Sequence, residues 1–351
     1  AQLSSLDVNV SALSGSAYSA SGTTGRSGDA QGGTIAVSVT GGQSNLALSG
    51  GAIVLDASGG ASTSGRENVG SGTGGAINVS VTGGGAISEA SALFANAFGG
   101  SAALAPLISA GSGAGGSIDL LADSGGIISA DPYQLSARGR VVNTTGNNGA
   151  AQGGDVTMIA RSGGAITTLD GVSSIDAGAV DGISADGSSA TGGTIQMIAD
   201  AGTISLASTA LDASALSGGN DTGSASLATG GSISIRVGAD PASQIAFESL
   251  DATANGSAGA LYDGFIDASG DATGGTVTVE NAFEMGFDHI ALCMGAGKPT
   301  VLDMPNGLAR GAGRLAAVLG RAQSGYLYHY AFAMLIGVAV LVTWYMLSRG
   351  Q

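Results

Sequence analysis

The sequence has few of the side chains on which catalysis, metal binding and helical packing usually depend. It contains one cysteine, Cys293, and one lysine, Lys298, and charged residues make up 11% of the chain, against about 25% in an average protein. A single cysteine excludes an internal disulfide framework and a cysteine zinc site. The scarcity of charge excludes a Lys/Glu-rich helical bundle. The net charge of −15 argues against a nucleic-acid partner, because phosphate binding needs clustered lysines and arginines.

Glycine and small apolar residues are abundant instead. The chain has 64 glycines among 351 residues, and hydrophobic residues make up 44% of it. This hydrophobic fraction is too high for a disordered acidic chain. The composition therefore indicates an architecture built from backbone and small side chains.

A repeat of about 40 residues runs through most of the chain. Its sign is a Gly-Gly pair followed by a residue of any kind, then Ile or Val, then an alternation of apolar and small or polar residues. The first glycines of successive copies are 42, 41, 38, 39, 38 and 44 residues apart. The seven copies lie at 32–37, 74–79, 115–120, 153–158, 192–197, 230–235 and 274–279.

The alternation has a period of two, which is typical of a β-strand with one buried face. We expect the Gly-Gly pair before each strand to supply the positive φ of a sharp corner. A second phrase places Leu or Ile inward, and the Asp after it outward or hydrogen-bonded to nearby backbone. A third short pattern lies between the two, as at 164–167 and 202–205. The aspartates of the second phrase are Asp56, Asp176, Asp212, Asp251 and Asp267.

These features predict an all-β fold, a parallel β-helix or β-solenoid of about 40-residue repeats over residues 32–280. We expect coils of about 20 residues, two for each repeat, around a column of aliphatic side chains. Residues 1–31 form a partial repeat with a strand at 6–10, and could cap the stack or donate a strand to a neighbouring copy. Insertions are expected at 88–106 and 218–229.

The charge distribution changes near residue 280. Residues 1–280 hold 23 acidic residues and six arginines, a net charge of −17, whereas residues 281–351 hold three acidic and five basic residues, a net charge of +2. Residues 281–325 are interpreted as a linker or short α/β-like tail. Residues 326–347 are predicted to form a hydrophobic α-helix, since 22 residues without Asp, Glu, Lys or Arg can cross a bilayer. Tyrosines at its start, with Trp344 and Tyr345 near its end, resemble an interfacial belt, so the membrane is an expected partner.

The start of the sequence has two interpretations. It begins Ala-Gln, without a basic and apolar leader. Removal of a signal peptide from an exported protein and trimming of the sequence both fit this beginning.

Few motifs suggest chemistry. The segments 70–75 and 111–116 match G-x-G-x-x-G, but each precedes a strand and opens no helix, so neither is expected to bind a dinucleotide. His289 and Cys293 lack an orienting group, and His329 lies in the tail. A calcium site along the aspartates is the alternative to turn capping, although calcium needs about six to eight oxygens. We therefore predict no catalytic, cofactor-binding or metal residue, and no enzyme.

Residues 32–280 resemble filamentous-haemagglutinin and autotransporter-type surface proteins of bacteria. The resemblance rests on the Gly-Gly-x-Ile-x-Val phrases and on Ile-Asp-Ala-Ser-Gly at 266–270. It implies a structural, non-catalytic protein that is extracellular or on the outer cell surface: a filament subunit, an adhesin or a surface layer. Its partners would be further copies of itself, stacked head to tail, and cell-surface glycans.

The tail resembles two other families. Residues 283–311, with Phe-Asp-His-Ile-Ala-Leu-Cys-Met-Gly-Ala-Gly-Lys-Pro at 287–299, are similar to the glutamate synthase small subunit and related oxidoreductases. Residues 313–350, through the segment 325–337, are similar to the last transmembrane helix of subunit L of NADH-quinone oxidoreductase. This resemblance implies an alternative function as a membrane component of a respiratory redox complex. A polysaccharide-active solenoid enzyme is a further alternative.

Overall fold

In a computed structural model, the described part of the chain is a parallel β-solenoid with repeats about 40 residues apart. The structure describes residues 8–12, 28–48, 50–63, 69–102, 110–142, 149–182, 189–218, 226–258 and 271–280. All secondary structure within these ranges is β-strand. The predicted tail segment 281–325 and the predicted helix 326–347 lie outside the described residues.

The described residues form 31 strands. In chain order these are β1 Val8–Ser11, β2 Ala30–Gln31, β3 Thr34–Thr40, β4 Asn45–Ala47, β5 Ala52–Asp56, β6 Gly59–Thr63, β7 Gly72–Thr73, β8 Ala76–Thr82, β9 Ala86–Ala90, β10 Ala92–Asn96, β11 Gly99–Ala102, β12 Gly113–Ala114, β13 Ser117–Asp123, β14 Ile127–Ala130, β15 Tyr133–Ser136, β16 Gly139–Val142, β17 Ala151–Gln152, β18 Asp155–Arg161, β19 Ala165–Thr167, β20 Ser173–Asp176, β21 Ala179–Asp181, β22 Ser189–Thr191, β23 Thr194–Asp200, β24 Thr203–Asp212, β25 Ala215–Ser217, β26 Leu227–Thr229, β27 Ser232–Val237, β28 Gln244–Thr253, β29 Gly256–Ala258, β30 Asp271–Thr273 and β31 Thr276–Glu280.

The chain visits four parallel sheets in the same order in each turn. Sheet 1 has the seven short strands from β2 to β30 that precede the Gly-Gly pairs, and sheet 2 has the seven strands from β3 to β31 that follow them. Sheet 3 has eleven strands, and sheet 4 has the six strands from β6 to β29. In most turns sheet 3 receives two strands, such as β9 and then β10. In β24 and β28 these two are fused into one strand of ten residues.

One turn of the solenoid is a whole repeat, so the prediction of two 20-residue coils was wrong. Ile35 pairs with Ile77, 42 residues later, and Ile77 pairs with Ile118. The strand patterns within one repeat lie one after another around a single turn, and each pairs with strands of neighbouring repeats instead of with another pattern of its own repeat. A period of two shows which side of a strand is buried, but it does not show which strand lies beside it.

The core is a column of inward-facing aliphatic residues between sheets 2 and 3. Equivalent positions on sheet 2 are buried in successive turns, as the alternation predicts. A second, thinner cluster between sheets 1 and 4 consists mostly of alanine. The first core position of sheet 2 is occupied by Ile35, Ile77, Ile118, Val156, Ile195 and Ile233.

The Gly-Gly pairs are required for close packing of the backbone, not for a positive φ as expected. A Cβ on Gly154 would overlap the carbonyl oxygen of Gly116 in the preceding turn, and a Cβ on Gly153 would overlap that of Ala177. Positive φ occurs elsewhere, at turns after the sheet 2 strands such as Gly83 and Gly163. The corner therefore excludes side chains because two backbones meet there.

The predicted strand near the start of the chain is confirmed where it is described, and one predicted insertion was wrong. Strand β1 pairs in register with β5. Within 88–106, β10 pairs with β5 and β15 without interruption, and Leu93 is fully buried. Within 218–229, β26 pairs in register with β22, while residues 219–225 lie outside the described residues.

A fully buried tyrosine interrupts the aliphatic core. The Tyr133 hydroxyl donates to the carbonyl oxygen of Ile128 at 2.9 Å, and its backbone N–H donates to Ser173 Oγ at 3.2 Å. Burial raises the pKa of the Tyr133 hydroxyl above its ordinary value. In the next two turns, Ser173 and then Thr209 occupy the stacked position, so small side chains accompany the large ring.

Replacing Gly154 should disrupt the stack. We expect Gly154→Ala to lower the free energy of unfolding by about 1–3 kcal/mol, because the added methyl group overpacks a backbone contact. Gly42→Ala is the matched control, since its Cβ would lie 3.7 Å from the nearest atom, the carbonyl oxygen of Gly83. Urea unfolding followed by circular dichroism measures both variants, and equal stability would contradict the proposed role of the corner.

Removing the Tyr133 hydroxyl should lower the free energy of unfolding by less than the upper value expected for the Gly154 substitution. We expect Tyr133→Phe to lower the free energy of unfolding by about 1 kcal/mol, since one buried hydrogen bond is lost while the ring remains. The same urea experiment checks this value. An unchanged midpoint would mean that the hydroxyl contributes nothing to stability.

Candidate functional site

The outer face of sheet 3 carries two columns of side chains where β5, β10, β15, β20 and β24 stack. Residues two apart on one strand share this face, and parallel pairing aligns them from turn to turn. The first column is Val54, Phe94, Gln134, Ser174 and Ala210. The second column is Asp56, Asn96, Ser136, Asp176 and Asp212.

Three of the predicted aspartates cap the turn that leads from sheet 3 to sheet 4. Asp56 Oδ1 accepts a hydrogen bond from the N–H of Ser58 at 3.0 Å. Asp176 Oδ1 accepts from Gly178 at 2.7 Å, and Asp212 Oδ1 accepts from the residue two positions later at 2.8 Å. The turn-capping prediction is confirmed for these residues.

The other two aspartates do not extend this column in the described structure. Asp251 pairs with Ala210 and therefore belongs to the first column, two residues before the expected place. Thr253 occupies the second column instead, and its hydroxyl lies 3.3 Å from Asp212 Oδ1. Asp267 lies outside the described residues. Similar phrases along the chain thus do not guarantee the same register.

The described residues provide no cluster of three or more His, Cys, Asp or Glu side chains that could hold a metal ion. Asp176 and Asp212 are neighbours in the ladder, but one oxygen of each already accepts a backbone hydrogen bond. Asn96 and Ser136 separate Asp56 from Asp176. The aspartates are therefore spread along the stack instead of converging on one point.

Asp176 is the most perturbed carboxylate of this face. Burial raises its pKa, and the neighbouring Asp212 raises it further, whereas the Gly178 N–H and Arg138 act in the opposite direction. Arg138 Nη1 lies 3.4 Å from Asp176 Oδ2. Arg138 Nε is buried and has no hydrogen-bond partner, so the guanidinium is only partly satisfied by this ion pair.

A shallow depression lies between the two columns. It has a volume of about 260 Å³, is open to solvent, and is lined by Phe94, Asn96, Gln134, Ser136, Ser174 and Asp176. The Phe94 side chain is 38% exposed, and Gln134 Nε2 donates to the carbonyl oxygen of Val172 at 3.0 Å. Sequence reasoning missed this site because it assigned Phe94 to an insertion. No local sequence pattern marked it, because Leu93, Phe94 and Ala95 are all apolar, and the burial of Leu93 and Ala95 beside the exposed Phe94 is visible only in the structure.

The remaining candidates carry no described site. Each G-x-G-x-x-G segment contains a short sheet 1 strand, β7 or β12, and is followed directly by a sheet 2 strand. His289, Cys293 and His329 lie outside the described residues. In the part of the chain that the structure describes, no helix has the length and apolar character needed to span a bilayer.

Comparison with known proteins gives one weak relative. A segment of 64 residues is 39% identical to an uncharacterized protein of Rickettsia prowazekii (strain Madrid E). The match covers 18% of this chain and only 8% of the relative's length. No family model matches the chain, and no solved structure matches it.

The Asp176 carboxylate should make stability depend on pH. An acid with a raised folded-state pKa destabilises the fold as the pH rises above the unfolded-state value, here 3.8. Asp176→Asn keeps an oxygen for the Gly178 N–H and removes the buried charge. We therefore expect the variant to be more stable than the natural protein at pH 7, and this advantage to shrink below pH 3.8.

Urea unfolding at pH 3.5 and pH 7 measures this difference. The exposed Asp155→Asn is the control for removing one negative charge from an acidic chain. An Asp176→Asn variant that is less stable at pH 7 would show that the partly exposed ion pair with Arg138 outweighs the cost of burial.

Proposed function

We propose that this protein is a structural, non-catalytic scaffold of a bacterial cell surface, which assembles by stacking solenoid ends head to tail. Its fold supports the proposal, since a parallel solenoid transmits one pattern of backbone pairing from turn to turn. The repeated sequence phrases resemble those of filamentous-haemagglutinin and autotransporter-type proteins, and this resemblance favours an extracellular filament, adhesin or surface layer.

The observation that carries the proposal is that one inward-facing aliphatic residue at each end of the described stack is more exposed than its partner in the adjacent turn, while Ile35 on the terminal strand β3 is buried. Val10 pairs with Leu55 and shares its inward face, yet Val10 is 39% exposed and Leu55 is 0% exposed. Val279 pairs with Ile235 and is half-buried, whereas Ile235 is fully buried. An aliphatic side chain that a further turn would cover is thus accessible at each end.

Strand edges accompany these side chains. Among the described strands, β1 and β31 each end the order of their sheet. An uncovered edge presents backbone N–H and C=O groups that can pair with another strand. Contact between two different ends is heterologous and need not close into a ring, so it can continue into a filament.

The charge of the solenoid supports growth along the stack. Residues 1–280 have a net charge of −17, and self-repulsion of like charge limits sideways association. End contacts would instead join apolar core positions and backbone edges, where pairing can offset the repulsion.

Arginine at an end position should stop assembly. We expect the full chain to form polymers in negative-stain electron microscopy and fast-sedimenting species in ultracentrifugation. Val279→Arg and Val10→Arg should each remain monomeric, because a buried charge without a partner is unfavourable at the contact. Thr278→Arg and Ser11→Arg are the matched controls. Thr278 and Ser11 lie beside Val279 and Val10 but on the outer face, so these two variants should still assemble.

A mixture of the two arginine variants gives a sharper result. Each keeps one intact end, so the mixture should form dimers and stop there. Circular dichroism confirms that every variant keeps its β-structure. A natural chain that remains monomeric at all concentrations would overturn the proposed function, as would polymers of well-folded Val279→Arg.

A further inference from the structure

We infer that the depression beside Phe94 binds a neutral hexopyranose unit of a glycan. This site lies on the outer face of sheet 3, away from the stack ends, so it adds a binding activity that does not rest on end-to-end assembly.

Phe94 is a large apolar side chain on the solvent side of its strand. Its neighbours Leu93 and Ala95 are fully buried, while Phe94 is 38% exposed. The paired strands β5 and β15 place Val54 and Gln134 in the same column as Phe94. An exposed aromatic ring offers a flat apolar surface with a negative face, which suits the C–H face of a pyranose ring.

Hydrogen-bonding groups surround this ring. Asn96 supplies an amide with donors and an acceptor, Ser136 and Ser174 supply hydroxyl groups, and Asp176 Oδ2 supplies an acceptor. Because Gln134 Nε2 is held by the carbonyl oxygen of Val172, its Oε1 remains as an acceptor. This mixture of donors and acceptors matches the hydroxyl groups of a sugar.

Several of these groups are already held in position. Asp176 is fixed by the Gly178 N–H at 2.7 Å and by Arg138 at 3.4 Å, and Gln134 is fixed by a 3.0 Å hydrogen bond. Side chains ordered before binding reduce the entropy lost on association. The raised pKa of Asp176 is consistent with a carboxylate drawn away from bulk water.

The size and charge of the depression restrict its ligand. A shallow depression of about 260 Å³ is smaller than the roughly 300–1,000 Å³ of sites for drug-sized ligands, so it limits the ligand to a small group. Asp176, the adjacent Asp212 and the net charge of −15 disfavour an acidic sugar. A peptide would gain no strand pairing here, because β15 is already paired on both sides with β10 and β20.

Saturation-transfer NMR on the full chain tests the inference. The probes are methyl β-D-galactopyranoside and methyl β-D-glucopyranoside, with methyl β-D-glucuronide and the tripeptide Ala-Ser-Ala as comparison ligands. We expect transfer to at least one neutral sugar, with weaker or no transfer to the acidic sugar and to the peptide.

Variants then locate the binding site. Phe94→Ala should weaken sugar binding roughly tenfold, since it removes the aromatic contact, and Phe94→Tyr should restore binding. Leu216→Ala is the matched control, because Leu216 is a 46% exposed apolar residue on sheet 4. Running the titrations in the Val279→Arg background separates binding from assembly.

Three results would overturn the inference. They are an absence of transfer to both neutral sugars, unchanged sugar binding in folded Phe94→Ala, and stronger binding of the glucuronide or the tripeptide. If a chain that never polymerises still binds sugar, this inference stands and the proposed assembly is wrong. If the chain forms polymers that bind no sugar, the proposed assembly stands and the inferred sugar site is wrong.

Discussion

The contact between backbones of successive turns at the Gly-Gly corners is the constraint on which the rest of the solenoid depends. The space that a Cβ of Gly154 would need is occupied by the carbonyl oxygen of Gly116, and the corresponding corners at Gly75 and Gly193 show the same overlap. This contact fixes the position at which each turn starts its sheet 2 strand. Alignment of the core residues and of the outer columns follows from that common starting point.

The sequence predicts the parts of this fold that depend on local pattern. The seven Gly-Gly phrases predict the seven strands of sheet 2, and the period of two predicts that Ile77, Ile118 and Ile195 are buried. It does not predict the length of a turn, because alternation reports the buried side of a strand and not its neighbour. For the same reason, Asp251 resembles the other aspartates in sequence but stacks two residues earlier.

The candidate binding site is harder to predict, because it exists only once turns are stacked. Phe94, Gln134 and Ser174 are about 40 residues apart in sequence, yet they occupy adjacent rungs about 4.8 Å apart. Nothing in the local sequence around any one of them indicates the others. The inward positions repeat because the core and the corners constrain them, whereas outward positions that cap no turn vary, as the first column from Val54 to Ala210 does. A ligand site can therefore arise on the outside without disturbing the pairing that supports it.

This separation between inner and outer positions links the two proposals. Assembly would use inward residues such as Val10 and Val279 together with strand edges, while sugar binding would use outward side chains around Phe94. A single shallow site for one sugar ring binds weakly, since few atoms are buried and several polar groups must be desolvated. Stacking copies end to end would repeat that site along one filament. Binding to a surface with many sugars would then become multivalent, and its strength would rise without any new contact in the site itself.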